Sequence, residues 1–292
     1  MPRDSSPLWD SIEALPLRPE GAHRYLLVNQ AAIPGQRPLL TRLTTLPCQP
    51  LFGQDTDACY DGATPFVVCI DNALASPSGM LAELADAACY GCALSIIDTP
   101  LDLRGIARAL TARTDVLLPD GDVMLLRFFD TRIFMALIDV LDDEQRDQFL
   151  SCATEWWYAD REGAMVPSAR LNQDGMDRYE APLRMNRTQE RAMIEAAEPD
   201  AVIDLLLSRG TTSLLALPYP LRYPTVLGLL HRARAWGLND LPDLAAFSLL
   251  ALYGPSDFDT LPPWNDLLPL VKRGELTFPV AIERAHDAEQ GE

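Results

Sequence analysis

The chain has 292 residues, 48% hydrophobic and 23% charged, enough for one large domain or two modest lobes that each bury a core. Its 24 Lys+Arg against 42 Asp+Glu give a formal net charge of −18. That balance argues against nucleic acid, whose affinity rests on cations neutralising phosphates. Nearly all the positive charge is arginine, Lys272 being the single lysine, and arginine suits carboxylate recognition. No stretch approaches the roughly 18 apolar residues of a membrane span. Met1 to Leu17 is broken by Pro2, Pro7 and Pro16 and lacks the apolar core of a leader. A cytoplasmic location without membrane contact is expected.

Short strand-like and helical patterns alternate through the first half. Tyr25 to Val28 reads as a strand, and Leu39, Leu40, Leu43 and Leu46 recur at helical spacing within Pro38 to Leu46. Phe66 to Ile70 is a continuous apolar run, as in a strand buried on both faces. Met80 to Ala88 reads as a helix and Ala93 to Ile97 as a strand. Thr99-Pro100-Leu101-Asp102 then has the composition of a helix start, with Thr99 as cap and proline in the first turn. Val116 to Leu118 and Val123 to Phe129 flank Pro119-Asp120-Gly121, a tight-turn signal between apolar runs. Ile133, Leu137, Val140 and Leu141 mark the next helix, and Asp142 to Gln145 a capping box that opens another.

This alternation predicts an α/β lobe ending near Trp157. Tyr158 to Arg187, with Gly163, Pro167, Gly175 and Pro182, reads as a connector with irregular strands. Helical patterns follow at Met193–Ala197, Ala201–Leu207, Thr225–Trp236, Leu241–Tyr253, Trp264–Val271 and Val280–Ala288, with Gly237 and Gly254 as stops. The expected fold class is α+β: an N-terminal α/β lobe with a mixed sheet, then an all-helical C-terminal lobe. The expected divisions are an N-terminal extension over 1–20, the α/β lobe over 21–158, the connector over 159–187 and the helical lobe over 188–292.

Signs of catalysis, cofactor or metal binding are wanting. Six cysteines are too few and scattered for a disulfide scaffold in a chain this long. Cys89-Tyr90-Gly91-Cys92 has redox spacing, but it follows a helix and precedes a strand. There the helix dipole disfavours a thiolate. Zinc would need two further ligands. His23, His231 and His286 stand apart, and no phosphate-binding glycine loop or nucleophile elbow is present. We therefore expect no enzyme, no catalytic or metal-ligating residue and no cofactor.

Two clusters suggest recognition instead. Arg127-Phe128-Phe129-Asp130-Thr131-Arg132 joins a strand end to a helix start. One reading is structural, with Asp130 capping the helix and Arg127 paired to an acid. The other is an exposed arginine and aromatic patch, rich in residue types that dominate protein interfaces. In Trp156-Trp157-Tyr158, neighbours on a strand point to opposite faces, so at least one tryptophan is expected in the core and the other is available to a partner or the lobe junction.

The run Arg127 to Arg132 resembles the signature of the type VI secretion effector chaperone or adaptor family, the domain of unknown function 4123. Asp142-x-x-Gln145, Phe149 and Trp156 or Trp157 follow as that family's pattern does. Arg232 to Leu238, Phe247 to Gly254, Phe258 and Pro263-Trp264 look like its helical tail. The resemblance covers roughly Tyr25 to Leu268. Two positions depart from it: Thr131 replaces the usual proline, which is expected to weaken the turn, and Cys89 to Cys92 replaces a Trp-Gly-rich approach to the next strand. The resemblance implies an adaptor that binds a specific toxin effector, through the toxin's N-terminal region, and promotes its loading onto the VgrG spike. The implied partner-binding residues are Arg127, Phe129, Asp130, Arg132, Trp156 and Trp157, together with a groove between the lobes. Another protein-binding scaffold of similar architecture is the alternative, and an enzyme using Cys89 and Cys92 a more distant one.

Overall fold

Strand β1 (His23–Val28) is the axis of the first half of the protein. In this computed structural model, which describes residues 6–53, 59, 62–71, 79–168 and 176–290, it lies between β3 (Phe66–Cys69) and β4 (Leu94–Thr99). The sheet extends through β2 (Cys48–Pro50) on one side and through β7 (Glu155–Ala159) and β8 (Met165–Pro167) on the other, in the order β2-β3-β1-β4-β7-β8. Every pairing in it is antiparallel. A smaller sheet, β6-β5-β9, joins β5 (Asp115–Leu117) to β6 (Val123–Leu125) antiparallel and to β9 (Leu183–Arg184) parallel. Mixed pairing thus belongs to the small sheet alone. Strands β8 and β9 lie in the stretch expected as a connector, of which Gly175 falls outside the described residues, as do Met1 to Ser5.

Strand side chains alternate between faces, and both faces of the large sheet are covered. Leu26, Val28, Val68, Ile96 and Trp157 join a core with Leu8 and Ile12 of α1 (Pro7–Glu13), Leu40 and Leu43 of α2 (Arg37–Leu43) and Leu84 and Ala88 of α3 (Met80–Ala88). Tyr25, Leu27, Val67, Ile97 and Trp156 face a second core. It holds Ile106 and Leu110 of α4 (Leu103–Ala112), Phe134 and Leu137 of α5 (Thr131–Val140) and Phe149 of α6 (Asp143–Leu150). The result is three layers, helices on both sides of one sheet. The sequence left the second tryptophan for a partner or the lobe junction, and the structure buries both. Trp156 and Trp157 are 0% and 5% exposed because each points into a different core.

Local signals place most element ends. Asp142 caps α6 in a reciprocal capping box with Gln145, as expected. Gly121 turns the β5–β6 hairpin with φ 95°, a conformation that favours glycine. Strand β6 stops at Leu125, short of the Phe129 expected. The helix start at Thr99 is also corrected. Thr99 ends β4, where its hydroxyl donates to the Cys152 carbonyl, and the cap of α4 is Asp102, which accepts from the Gly105 N–H at 2.7 Å. Met193–Ala197 and Ala201–Leu207 are one helix, α7 (Arg187–Ser208), running through Pro199. Proline removes one helical hydrogen bond, and the packing of Val202 and Leu206 sustains the helix beyond it.

The protein divides into two compact units, Met1–Ile194 and Glu195–Glu292. Beyond α7 the second is helical: α8 (Thr212–Ala216), α9 (Tyr219–Ala235), α10 (Leu241–Tyr253), α11 (Trp264–Lys272) and α12 (Phe278–Gln290). Its core is aromatic, with Phe258 against both Phe247 and Trp264, and Phe278 packed on Phe247 and Trp264. Asp259 ties this core to α9 by accepting from Arg232 and from the Trp236 indole N–H. Arg234 pairs with Glu198. An α+β protein with a sheet-containing first unit and an all-helical second is what the sequence led us to expect.

Candidate partner-binding surface

The segment from Leu126 to Arg132 turns β6 into α5, and its side chains differ sharply in environment. Phe128 is fully buried, edge-on to Phe149 and Trp156 at 5.5 and 6.2 Å. Phe129 is buried too, against Phe52 and Phe128. Asp130 caps α5: Oδ1 accepts from the Arg132 backbone N–H at 3.1 Å and from Arg132 Nε at 3.0 Å, and Oδ2 accepts from Nη2 at 2.8 Å. The carboxylate is thereby enclosed, and Arg132 is folded back onto its own helix start. Arg127 is the member that projects into solvent. Among the described residues it forms no ion pair.

Of the six residues named from the sequence, Phe129, Asp130, Trp156 and Trp157 are buried. These four are corrected to structural roles, because both sheet faces are covered and the helix start encloses its cap. Arg127 and the half-buried Arg132 are left at the surface.

Thr131 is held by two hydrogen bonds at the turn. Its N–H donates to the Cys92 carbonyl at 3.0 Å, and its hydroxyl donates to the Ala159 carbonyl. A proline has no N–H to give. The two places where the sequence departs from the adaptor pattern, Thr131 and the Cys89–Cys92 segment, therefore touch, and the N–H gained at one is used by the other. Cys89 stands at the C-cap of α3 and Cys92 is buried. Burial pushes the Cys92 thiol up to about 11, with the nearby Arg161 opposing. That is opposite to the depressed thiol used in redox chemistry. Among the described residues no group of three or more His, Cys, Asp or Glu side chains is placed to hold a metal ion. No described helix is long and apolar enough to cross a membrane.

Two surface features escaped the sequence reading. Val123, Met124 and Leu125 are 60%, 55% and 53% exposed, an uncovered apolar strand leading directly to Arg127. Arg104 and Arg108, one turn apart on α4, line an open cleft of about 980 Å³ with Gln49, Leu51 and Thr111. Neither was legible, because alternation and spacing say which side chains share a face and not whether anything covers that face.

A two-unit α+β chain whose singled-out residues form a capped corner with one projecting arginine is suited to recognition by surface. The profile of a family described as Domain of unknown function (DUF4123) matches residues 24–148. That span runs from β1 into α6 and contains the whole Arg127–Arg132 corner. No curated protein matches the chain, and no solved structure does.

Proposed function

We propose that this chain is an adaptor that binds a type VI secretion toxin effector, through the toxin's N-terminal region, and promotes its loading onto the VgrG spike without chemistry of its own. The observation that carries the reading is the Arg127–Arg132 corner inside the span matched by the DUF4123 profile. Asp130 and Arg132 lock it, Phe128 and Phe129 anchor it, and it presents Arg127 to solvent. A buried aromatic base fixes the backbone, so the arginine meets a partner with little backbone entropy to lose, a condition that favours hot-spot contacts. The net charge of −18 favours a protein client over nucleic acid.

The test is co-expression and tandem purification with the products of the neighbouring genes, comparing wild type with Arg127→Asp. A stoichiometric wild-type complex with the toxin that Arg127→Asp weakens at least tenfold supports the reading. Folded wild-type protein that retains neither toxin nor spike overturns it. Arg127 is the cleaner probe, because changing Arg132 also strips the Asp130 cap of its partner.

A further inference from the structure

Among the described residues strand β6 is the edge of the small sheet, and its side chains are exposed on both faces. Met124 stands opposite the buried Val116, and Val123 opposite Leu117, so the two β6 side chains belong to opposite faces. Each is nonetheless more than half exposed, so the strand overhangs the core. Its hydrogen-bonding register is fixed. Leu118 N–H donates to the Asp122 carbonyl at 2.8 Å and Leu126 N–H to the Thr114 carbonyl at 2.6 Å. Bonded residues alternate along an antiparallel pair. Asp122, Met124 and Leu126 therefore turn their peptide groups toward β5, while Val123 and Leu125 turn theirs outward. Among the described residues no strand lies on that side. Natural proteins blunt such edges with lysine, proline or a bulge. Here the edge reads Val-Met-Leu.

The surrounding charge says what fits. Asp120 and Asp122 at the turn and Asp115 beside Leu125 are exposed and form no ion pair among the described residues. Arg127 stands at the other end of the strand. We propose that β6 is where the client docks by strand addition: an extended toxin segment pairs with the outward peptide groups of Val123 and Leu125. Its apolar side chains lie over Val123, Met124 and Leu125, and basic residues at one end sit by Asp120 and Asp122. This rests on the adaptor reading and locates its binding site. Peptide hydrogen bonds supply affinity in such docking, and flanking side chains select the partner. A second copy is the poorer occupant. Each copy would bring one arginine against three carboxylates on a chain of net charge −18, and a strand of three residues per copy falls far short of the roughly 800 Å² per partner of a stable interface.

The test uses the full chain with any toxin found among the products of its neighbouring genes. Leu125→Pro removes an outward N–H without touching the β5 ladder, and Val123→Lys places a like charge against the basic client. Each variant is expected to lose at least tenfold in toxin affinity with its melting curve unchanged. Amide exchange at Val123 and Leu125 in the wild-type protein is expected to slow on complex formation. A wild-type complex bound equally well by both variants, with those amides still exchanging freely, overturns this proposal and leaves the adaptor reading standing. A wild-type dimer that Leu125→Pro dissolves while toxin binding persists overturns it in favour of self-pairing. A folded wild-type chain that binds no toxin overturns both.

Discussion

The ion pair across β1 and β4 offers the sharpest test of the packing argument. Arg24 and Asp98 are directly opposed in the sheet register. Nε and Nη2 of Arg24 donate to the two carboxylate oxygens, both at 2.7 Å, and Nη2 also donates to the Pro16 carbonyl at 2.9 Å. The guanidinium lies 5.4 Å from the centre of the Trp157 ring. The side chains are 6% and 0% exposed, so neither charge has water to fall back on. Removing one partner leaves a buried charge stripped of two charge-assisted bonds, which costs about 3–5 kcal/mol. Asp98→Asn keeps the size but turns an amide N–H toward a guanidinium N–H, and is expected to fall in that range. So is Arg24→Met, which strands the carboxylate. The double variant Arg24→Met/Asp98→Val replaces the pair by apolar groups and leaves only the Pro16 carbonyl short of a donor. It is expected to recover to within about 1–2 kcal/mol of wild type. Urea unfolding followed by tryptophan fluorescence, with calorimetry on the first unit's transition, reads the cycle. The single variants are expected to lower Tm by roughly 6–20 °C. A single variant costing under about 1 kcal/mol, or a double variant no better than the sum of the singles, would refute the reasoning.

Three further outcomes follow from the same contacts. Burial opposes ionisation of Asp71, Asp177 and Asp259, but the Arg24 N–H, His23 and Arg18 at the first, Arg113 at the second, and Arg232 and Trp236 at the third prevail and lower all three. A lowered folded-state pKa stabilises above the unfolded value and is lost as pH falls through the folded one. Glu155 and Asp243, raised by burial and then by Asp98 and Asp240, act in the opposite sense at slightly higher pH. Melting temperature is therefore expected to hold from pH 7 to about 5 and to drop below about 4; a curve still flat at pH 3 would contradict this. Gly163 has φ +81°, and an added Cβ would meet the Cys89 carbonyl oxygen and Sγ at 2.9 Å, whereas Gly121, with φ +95°, opens onto free space. Gly163→Ala is expected to cost about 2–4 kcal/mol and Gly121→Ala about 1 kcal/mol, and the reverse order in thermal melts would overturn the assignment. Phe128→Ala, emptying a site among Phe129, Phe149 and Trp156, is expected to cost about 3–5 kcal/mol. Arg127→Ala next to it is expected to stay within about 0.5 kcal/mol, and chemical denaturation of the pair separates structure from surface.

Helices marked by apolar spacing or by the chemistry of their ends could be read directly. Residues Met80–Ala88 and Leu241–Tyr253 are helical as expected, and Asp142 with Gln145 forms its capping box. The Asp120-Gly121 turn brings β5 and β6 together. These signals act within about one helical turn or one hairpin, which is why a linear reading captures them. Reading failed where a competing partner lay far along the chain. Thr99 was taken from its helix start by Cys152, and α7 was carried through Pro199 by packing. The Cys92 carbonyl waits 39 residues before the N–H that it accepts from Thr131.

The surface was the least legible part. By itself the sequence determined the α+β class, many of its elements and the corner at Arg127–Arg132, because periodicity, caps and turn residues are local properties of the backbone; it did not determine α1, β2 or α8. Only the tertiary structure decided that Trp156 and Trp157 both face cores, that Asp130 is enclosed while Arg127 projects, and that Val123 to Leu125 lies open. Whether a given face meets solvent depends on which distant elements pack against it, and no local pattern carries that information.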